Sequence, residues 1–208
     1  MKKYIVLAIL FVFPLVVYLF FASGVNHFAK LPVLTQEIEE IGEYSDIQFK
    51  DRITVLGFFG NVLQDKKALA LNLNQKIYKR FYQFADFQFL IALPEGTETQ
   101  AENLVAKLEG TTGTDMSRWN FVFLAPDDLQ RIFRSLNLPL SLDKNFSNPF
   151  VFIIDRDANL RGRDDDDFVG YDARSVADIN NNMVDDVKVI LAEYRLALKK
   201  YNKDINRQ

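Results

Sequence analysis

The stretch Ile53–Ala85, ITVLGFFGNVLQDKKALALNLNQKIYKRFYQFA, decides the fold. Ile53 to Phe59 is a β-branched and aromatic run broken by Gly57 and closed by Gly60, the composition of a buried strand. Asn61 to Lys67 is a loop. From Ala68 onward, Leu69, Leu73, Ile77, Phe81 and Phe84 recur at spacings of four, four, four and three, which places them on one helix face. Lys76, Lys79 and Arg80 fall on the other faces and stay in water. The unit is strand, glycine-bounded loop, amphipathic helix.

The same alternation continues downstream. Phe87 to Leu93 (FQFLIAL) is a second buried strand, stopped by Pro94 and the polar EGTETQ, and Ala101 to Leu108 is a short helix. Trp119 to Leu124 (WNFVFL) is a third strand. Ala125-Pro126-Asp127-Asp128 then opens a helix, with proline early and carboxylates where the helix dipole favours them. Leu129, Ile132, Phe133 and Leu136 make its apolar face. Pro149 to Ile154 (PFVFII) is a fourth strand, Asp155–Asn159 turns the chain back, and a return strand starts at Leu160 to Arg163. Phe168 to Tyr171 closes that section. Val176, Ile179, Met183, Val187, Ile190, Tyr194 and Leu198 form the stripe of a last helix packed on a sheet, and the polar tail after Lys199 is expected to fray. Upstream, Gln36 to Gln48 mixes charge with Ile38, Ile41, Tyr44 and Ile47 and is expected to form edge strands or a hairpin. The order β, α, β, α, β, α, β, β, α argues an α/β sheet covered on both faces, with an antiparallel component at its end.

The amino terminus is different in kind. Behind Lys2 and Lys3, no residue from Tyr4 to Ala22 is charged. As a helix these 19 residues would span about 28 Å, close to the hydrocarbon thickness of a bilayer. The run exceeds the apolar core of a cleavable signal peptide, although Ala22-Ser23-Gly24 offers small residues that a signal peptidase could use. The layout expected is a signal-anchor, or transmembrane segment, over residues 1–24 and a linker over 25–34. A folded domain over 35–200 and a polar tail over 201–208 follow. The lysines before the span favour a cytoplasmic amino terminus, which places the domain on the periplasmic, or generally extracytoplasmic, side of the inner membrane.

Composition narrows the chemistry. There is no cysteine, which excludes disulfides, thiol redox chemistry and thiolate metal sites. A single histidine, His27, lies outside the expected domain and has no partner ligands. The formal net charge of −3 supplies no basic field for nucleic acid. No P-loop, dinucleotide fingerprint, nucleophile elbow or zincin motif is present.

The succession of pieces resembles the thioredoxin-like superfamily, and within it the SCO/SenC proteins. The stretches that carry the resemblance are RITVLGFFGN at 52–61, RWNFVFLAPDDLQRIFRSLNL at 118–138, PFVFIIDRDANLRGR at 149–163 and GYDARSVADINNNMVDDVKVILAEY at 170–194. The resemblance implies a thioredoxin-like mixed sheet flanked by helices, behind one N-terminal transmembrane helix of a type common in that family. SCO proteins bind copper through a CxxxC after the first core strand and a histidine near the hairpin. The matching loop here, Gly60-Asn61-Val62-Leu63-Gln64-Asp65-Lys66, has neither cysteine, and the histidine position falls near Ser147 or Asn148. Copper has nothing to bind in that manner, and no cofactor is expected. Gly60, Asn61, Val62, Leu63, Gln64 and Asp65 are thus read as a degenerate active-site loop. Pro149, six residues before Asp155, matches the family's cis-proline, so a cis Asn148–Pro149 bond is expected.

Two function classes stay open at this point. One is a non-catalytic binding or assembly module that meets the membrane through its helix and a protein partner in the envelope. The other is a metal-dependent or redox-related enzyme using oxygen donors such as Asn61, Gln64 or Asp65. Asp164 to Asp167 lacks the alternate-position ligands of an EF-hand and reads as a solvated acidic loop. Asp155 and Asp157 read as turn caps rather than an acid–base pair, and Trp119 as core.

Overall fold

The computed structural model describes the backbone of residues 3, 10–18, 30–165 and 167–205. Strand β2 (Ile53–Phe59) lies at the centre and is buried at every residue. Successive side chains of a strand point to opposite faces. Ile53, Val55 and Phe59 therefore enter one core, and Leu56 and Phe58 the other. Strand β3 (Phe87–Pro94) runs parallel to β2, and β4 (Trp119–Leu124) parallel to β3. On the other side β5 (Ser147–Ile154) is antiparallel to β2. Strands β6 (Leu160–Arg161) and β7 (Tyr171–Asp172) both pair antiparallel with β5, and β1 (Val33–Thr35) closes the sheet against β6. The resulting order is β1-β6-β5-β2-β3-β4, with β7 beside β5.

The crossover from β2 to β3 is a composite helix, α1. It consists of a 3-10 turn Leu63–Lys66, an α segment Lys67–Leu73, a π segment Asn74–Tyr78 and a last turn Lys79–Phe81. Its apolar residues recur every four positions, which on an ideal helix of 3.6 residues per turn would drift off one face. The π segment takes up the excess, and Leu69, Leu73, Ile77 and Phe81 all stay buried. Phe84 was expected on this face but lies beyond the helix end and is 45% exposed. Helix α2 (Glu98–Thr112) is longer than the expected Ala101–Leu108, and α3 is Pro126–Ser135. The last helix, α4, joins a turn Val176–Asp178, a second π segment Ile179–Met183 and an α segment Val184–Ile205. It continues past Lys199, where fraying was expected, on residues that tolerate helix and include no glycine or proline. Val176, also expected inside, sits in its first turn and is 54% exposed.

The two faces are covered unequally. Helices α1, α2 and α4 supply one core, and among the helices α3 supplies the other. This inequality corrects the expectation for Gln36 to Gln48. The segment is not a hairpin: β1 ends at Thr35, and the one regular element that follows is a 3-10 turn at Ile41–Glu43. Ile38, Ile41 and Phe49 are buried in the α3 core, so the segment works as a lid over sheet that a single helix leaves bare. Glu40 pins it, accepting from the backbone N–H groups of Ile41, Phe49 and Lys50.

The expected membrane span Tyr4–Ala22 lies mostly outside the described residues, as does His27. Residues 10–18 are helical, with Leu10, Phe11 and Phe13 exposed. Among the described residues no helix is long and apolar enough to cross a membrane.

Two charge clusters tie the hairpin end of the sheet to its surroundings. Arg161, 5% exposed, donates to Asp155 Oδ2 at 2.9 Å, to Glu193 Oε2 at 2.7 Å and to the carbonyl of Leu31. Burial alone pulls this guanidinium's pKa down; hydrogen bonds and charges from Asp155 and Glu193 outweigh it and hold the pKa above the ordinary value. Asp155 also accepts from the N–H groups of Asp157 and Asn159, so it caps the turn as expected and neutralises the arginine besides. In the second cluster Tyr171 donates to Asp186 Oδ2 at 2.9 Å, and Arg163 pairs with the same carboxylate at 2.7 Å.

Replacing Arg161 by Met strands the buried Asp155 carboxylate and is expected to cost about 3–5 kcal/mol in urea unfolding. Adding Asp155→Asn should recover much of that loss. A second expectation concerns alkaline pH. Burial, then Asp186, push the Tyr171 phenol up, and burial does the same to Tyr194. A group raised in the folded state contributes stability below its unfolded pKa, about 10 for a phenol. Unfolding free energy should therefore hold up to that pH and fall above it. The fall should be shallower in Tyr171→Phe, as chemical denaturation at stepped pH would show.

Candidate functional site

The carboxyl end of β2 is where an open α/β sheet offers its usual binding crevice. Gly60 stands there with φ +73, a left-handed conformation that side chains resist. A Cβ on it would collide with the Asn145 carbonyl oxygen and stand 2.8 Å from the Ser147 Cβ. Asn61 N–H donates to that same Asn145 oxygen at 3.0 Å. The loop and the region of Ser147, far apart in sequence, are thus packed into one site.

Gln100, in the first turn of α2, clips the loop from the other side. Its Nε2 donates to Asn61 O at 3.2 Å and its Oε1 accepts from Leu63 N–H, also at 3.2 Å. Leu63 is buried; Asn61, Val62, Gln64 and Asp65 are exposed. The oxygen donors named for a metal-dependent or redox-related enzyme, Asn61, Gln64 and Asp65, thus stand in solvent. Among the described residues no three His, Cys, Asp or Glu side chains are grouped to hold a metal ion. Asn148 is tied to the backbone at both ends of its amide: its Nδ2 donates to Ser141 O at 3.1 Å and its Oδ1 accepts from Phe150 N–H at 2.9 Å.

The expected cis Asn148–Pro149 bond is not found, since the described residues contain no cis peptide bond. Trans is the lower-energy form of X–Pro by about 0.5–1 kcal/mol. Here β5 runs through Pro149 as continuous strand, with Ser147 paired to Phe59. Pro149 O accepts from Ala173 N–H at 3.0 Å, which joins β5 to the turn before α4.

Two clefts flank the loop. One, of about 350 Å³, lies between α1 and the start of α4 and includes Asp65, Leu69, Asn72, Pro149, Arg174 and Val176. Its wall is fixed by Asn72, whose Nδ2 donates to Ala173 O at 2.9 Å. Arg174 forks onto Asp172 through Nε and Nη2, each at 2.8 Å, and holds that carboxyl below its usual range. Val176 and Val62, the latter 39% exposed, give this end an apolar surface. The other cleft, of about 370 Å³, lies between α1 and α2 and carries Gln64, Lys67, Asn103 and Lys107. Desolvation and the neighbouring Lys107 ammonium lower the pKa of Lys67.

The loop expected over Asn61 to Lys67 is shorter, since Leu63–Lys66 is a 3-10 turn and Lys67 opens the α segment, and the Gln100 clip was not expected. Gln100 sits in the stretch EGTETQ, which carries no signal beyond polarity. The acidic run is exposed at Asp164, Asp165 and Asp167, while Asp166 lies outside the described residues. Trp119 is core, stacked on Phe89 with ring centroids 4.6 Å apart.

A three-stranded parallel unit, an antiparallel hairpin and helices on both faces define a thioredoxin-like fold. The chain shares it with a SCO1/SenC family lipoprotein from Bacillus anthracis, at 18% identity and TM-score 0.52, over 81% of this chain and 99% of that one. It shares it also with BsSco, a member of the Sco family of cytochrome c oxidase assembly proteins. That match has 11% identity and TM-score 0.52, over 76% of this chain and 94% of that one. No protein-family model matches the chain, and no curated protein matches it.

Removing the clip should loosen the loop without unfolding the domain. Gln100→Ala is expected to cost about 1–2 kcal/mol for two lost hydrogen bonds and to speed hydrogen exchange at the Leu63 amide. Gly60→Ala, which adds a backbone collision to left-handed strain, should cost at least about 2 kcal/mol in the same unfolding assay.

Proposed function

We propose that the protein is a membrane-anchored, extracytoplasmic, SCO/SenC-like binding or assembly module that works without catalysis. The observation that carries the reading is the closed loop. Where the fold would present reactive side chains, Gly60, Asn145 and Gln100 lock the backbone, and the exposed groups are Asn61, Val62, Gln64 and Asp65. None of these is a nucleophile with a base beside it, and the chain has no thiol to oxidise.

What the site does offer is a surface. The cleft beside Pro149 is lined in part by the exposed Val176, and Val62 adds an exposed apolar side chain on the loop. Apolar anchors beside fixed polar groups are the make-up of a protein contact. The uncharged run from Tyr4 to Ala22 supports attachment to a membrane, with the domain outside the cytoplasm. A protein of the same fold belongs to a family of cytochrome c oxidase assembly proteins, which supports a partner within an envelope complex here.

The test is a photo-cross-linker placed in turn at Val62, Val176 and the distant Lys188 of the full chain in its native membranes. A discrete adduct from the first two positions, absent from Lys188, is expected. Val176→Asp should reduce capture at Val62 at least about tenfold while leaving the thermal unfolding midpoint in place, since the residue is exposed. Turnover of a dithiol or a peroxide by the purified chain, with no adduct at either valine, would overturn the reading.

A further inference from the structure

The sheet carries another cleft at its opposite end, remote from the loop. Strands β2, β3 and β4 run parallel, so the residues that lead into them come to lie side by side. Arg52 precedes β2, Ala85 lies two residues ahead of β3, and Arg118 precedes β4. Arg52 Nη1 donates to the Ala85 carbonyl oxygen at 2.9 Å, and Arg118 Nη1 donates to the same oxygen. Two full positive charges therefore converge on one neutral acceptor.

Among the described residues, no carboxylate stands within 4.0 Å of either guanidinium, although six other cations, Arg131, Arg156, Arg161, Arg163, Arg174 and Lys188, are paired in this way. The neighbouring acids are engaged elsewhere: Asp86 pairs with Arg156 at 3.3 Å, and Asp115 accepts from Ser117 N–H and Oγ at 2.8 and 3.0 Å. Asp46 lines the same space without reaching either arginine. Each guanidinium is a fork of N–H donors, and among the described residues most of them have no protein partner.

The space in front of them is built. It measures about 540 Å³, a small-molecule volume rather than that of a lone ion. Its floor is rigid, because the buried Gln88 spends its amide on Gln48 O and Thr54 Oγ1, both at 2.9 Å, and accepts from Asn120 Nδ2 at 3.3 Å. We propose that this cleft binds a small polar molecule through an oxyanion group, carboxylate or phosphate, held between Arg52 and Arg118. A planar fork matches either oxyanion with two parallel bonds. Asp46 accepts hydrogen bonds from the remainder of the ligand, which favours a hydroxylated molecule over a polyanion.

The test uses the full-length chain in a non-ionic detergent. Thermal unfolding is followed while inorganic phosphate, succinate or chloride is added at matched ionic strength. A saturable rise in midpoint with phosphate or succinate, and none with chloride, is expected, with a dissociation constant on the order of 1 mM for such small probes. A response to phosphate alone assigns a phosphate ester, and one to succinate alone a carboxylic acid. Arg118→Gln should weaken the response about tenfold. Arg52→Lys keeps the charge and the folded core while removing the fork, and should also weaken it several-fold. Equal response to chloride, no response to either oxyanion, or an Arg52→Lys protein that responds as the parent does would overturn the proposal.

Discussion

Strand β2 is buried along its whole length, so both its faces and both its edges need cover. The rest of the architecture follows from that requirement. Its edges are taken by β3, parallel, and by β5, antiparallel. One face receives three helices. The other receives α3 and the irregular segment around Ile38, Ile41 and Phe49. Burying one large apolar side chain is worth roughly 1.5–3 kcal/mol, so a bare patch on the second face would be costly. A segment with scattered isoleucines and many charges meets the need without regular structure.

The same requirement explains the polar interior. The short return strand β6 places Arg161 against the turn after β5, where it is almost wholly buried. Asp155, Glu193 and the Leu31 carbonyl give that guanidinium its partners. Through Leu31, the network also fixes where the chain leaves for its amino-terminal segment. A buried ion pair of this kind contributes little net stability against an apolar substitute, but losing one partner is expensive. Its effect here is positional: it joins the connector, the hairpin and α4.

At the loop, the constraint is steric. Gly60 accepts a left-handed backbone so that the 143–147 segment can pack against it, and Gln100 supplies the polar groups that a tight turn leaves unpaired. Such an arrangement holds a shape. It presents its neighbours, the cleft beside Pro149 and exposed Val62 and Val176, on a firm base. The arginine pair at the far end of the sheet rests on a different consequence of the topology, the alignment of parallel strand starts.

Much of this was legible in the residues. The four long strands and the helix faces of α1, α3 and α4 were marked by periodicity, because burial on a sheet repeats every second residue and on a helix every third or fourth. The missing cysteines were equally plain. Tertiary structure decided what has no period. Gln36 to Gln48 became a lid, Phe84 and Val176 fell outside the core at helix ends, and the Asn148–Pro149 bond stayed trans. Gln100, Arg161 and the convergence of Arg52 with Arg118 join residues separated by 32 to 130 positions or held apart by intervening strands. A lone polar side chain has no repeat to announce its partner, and only the packed sheet brings the two together.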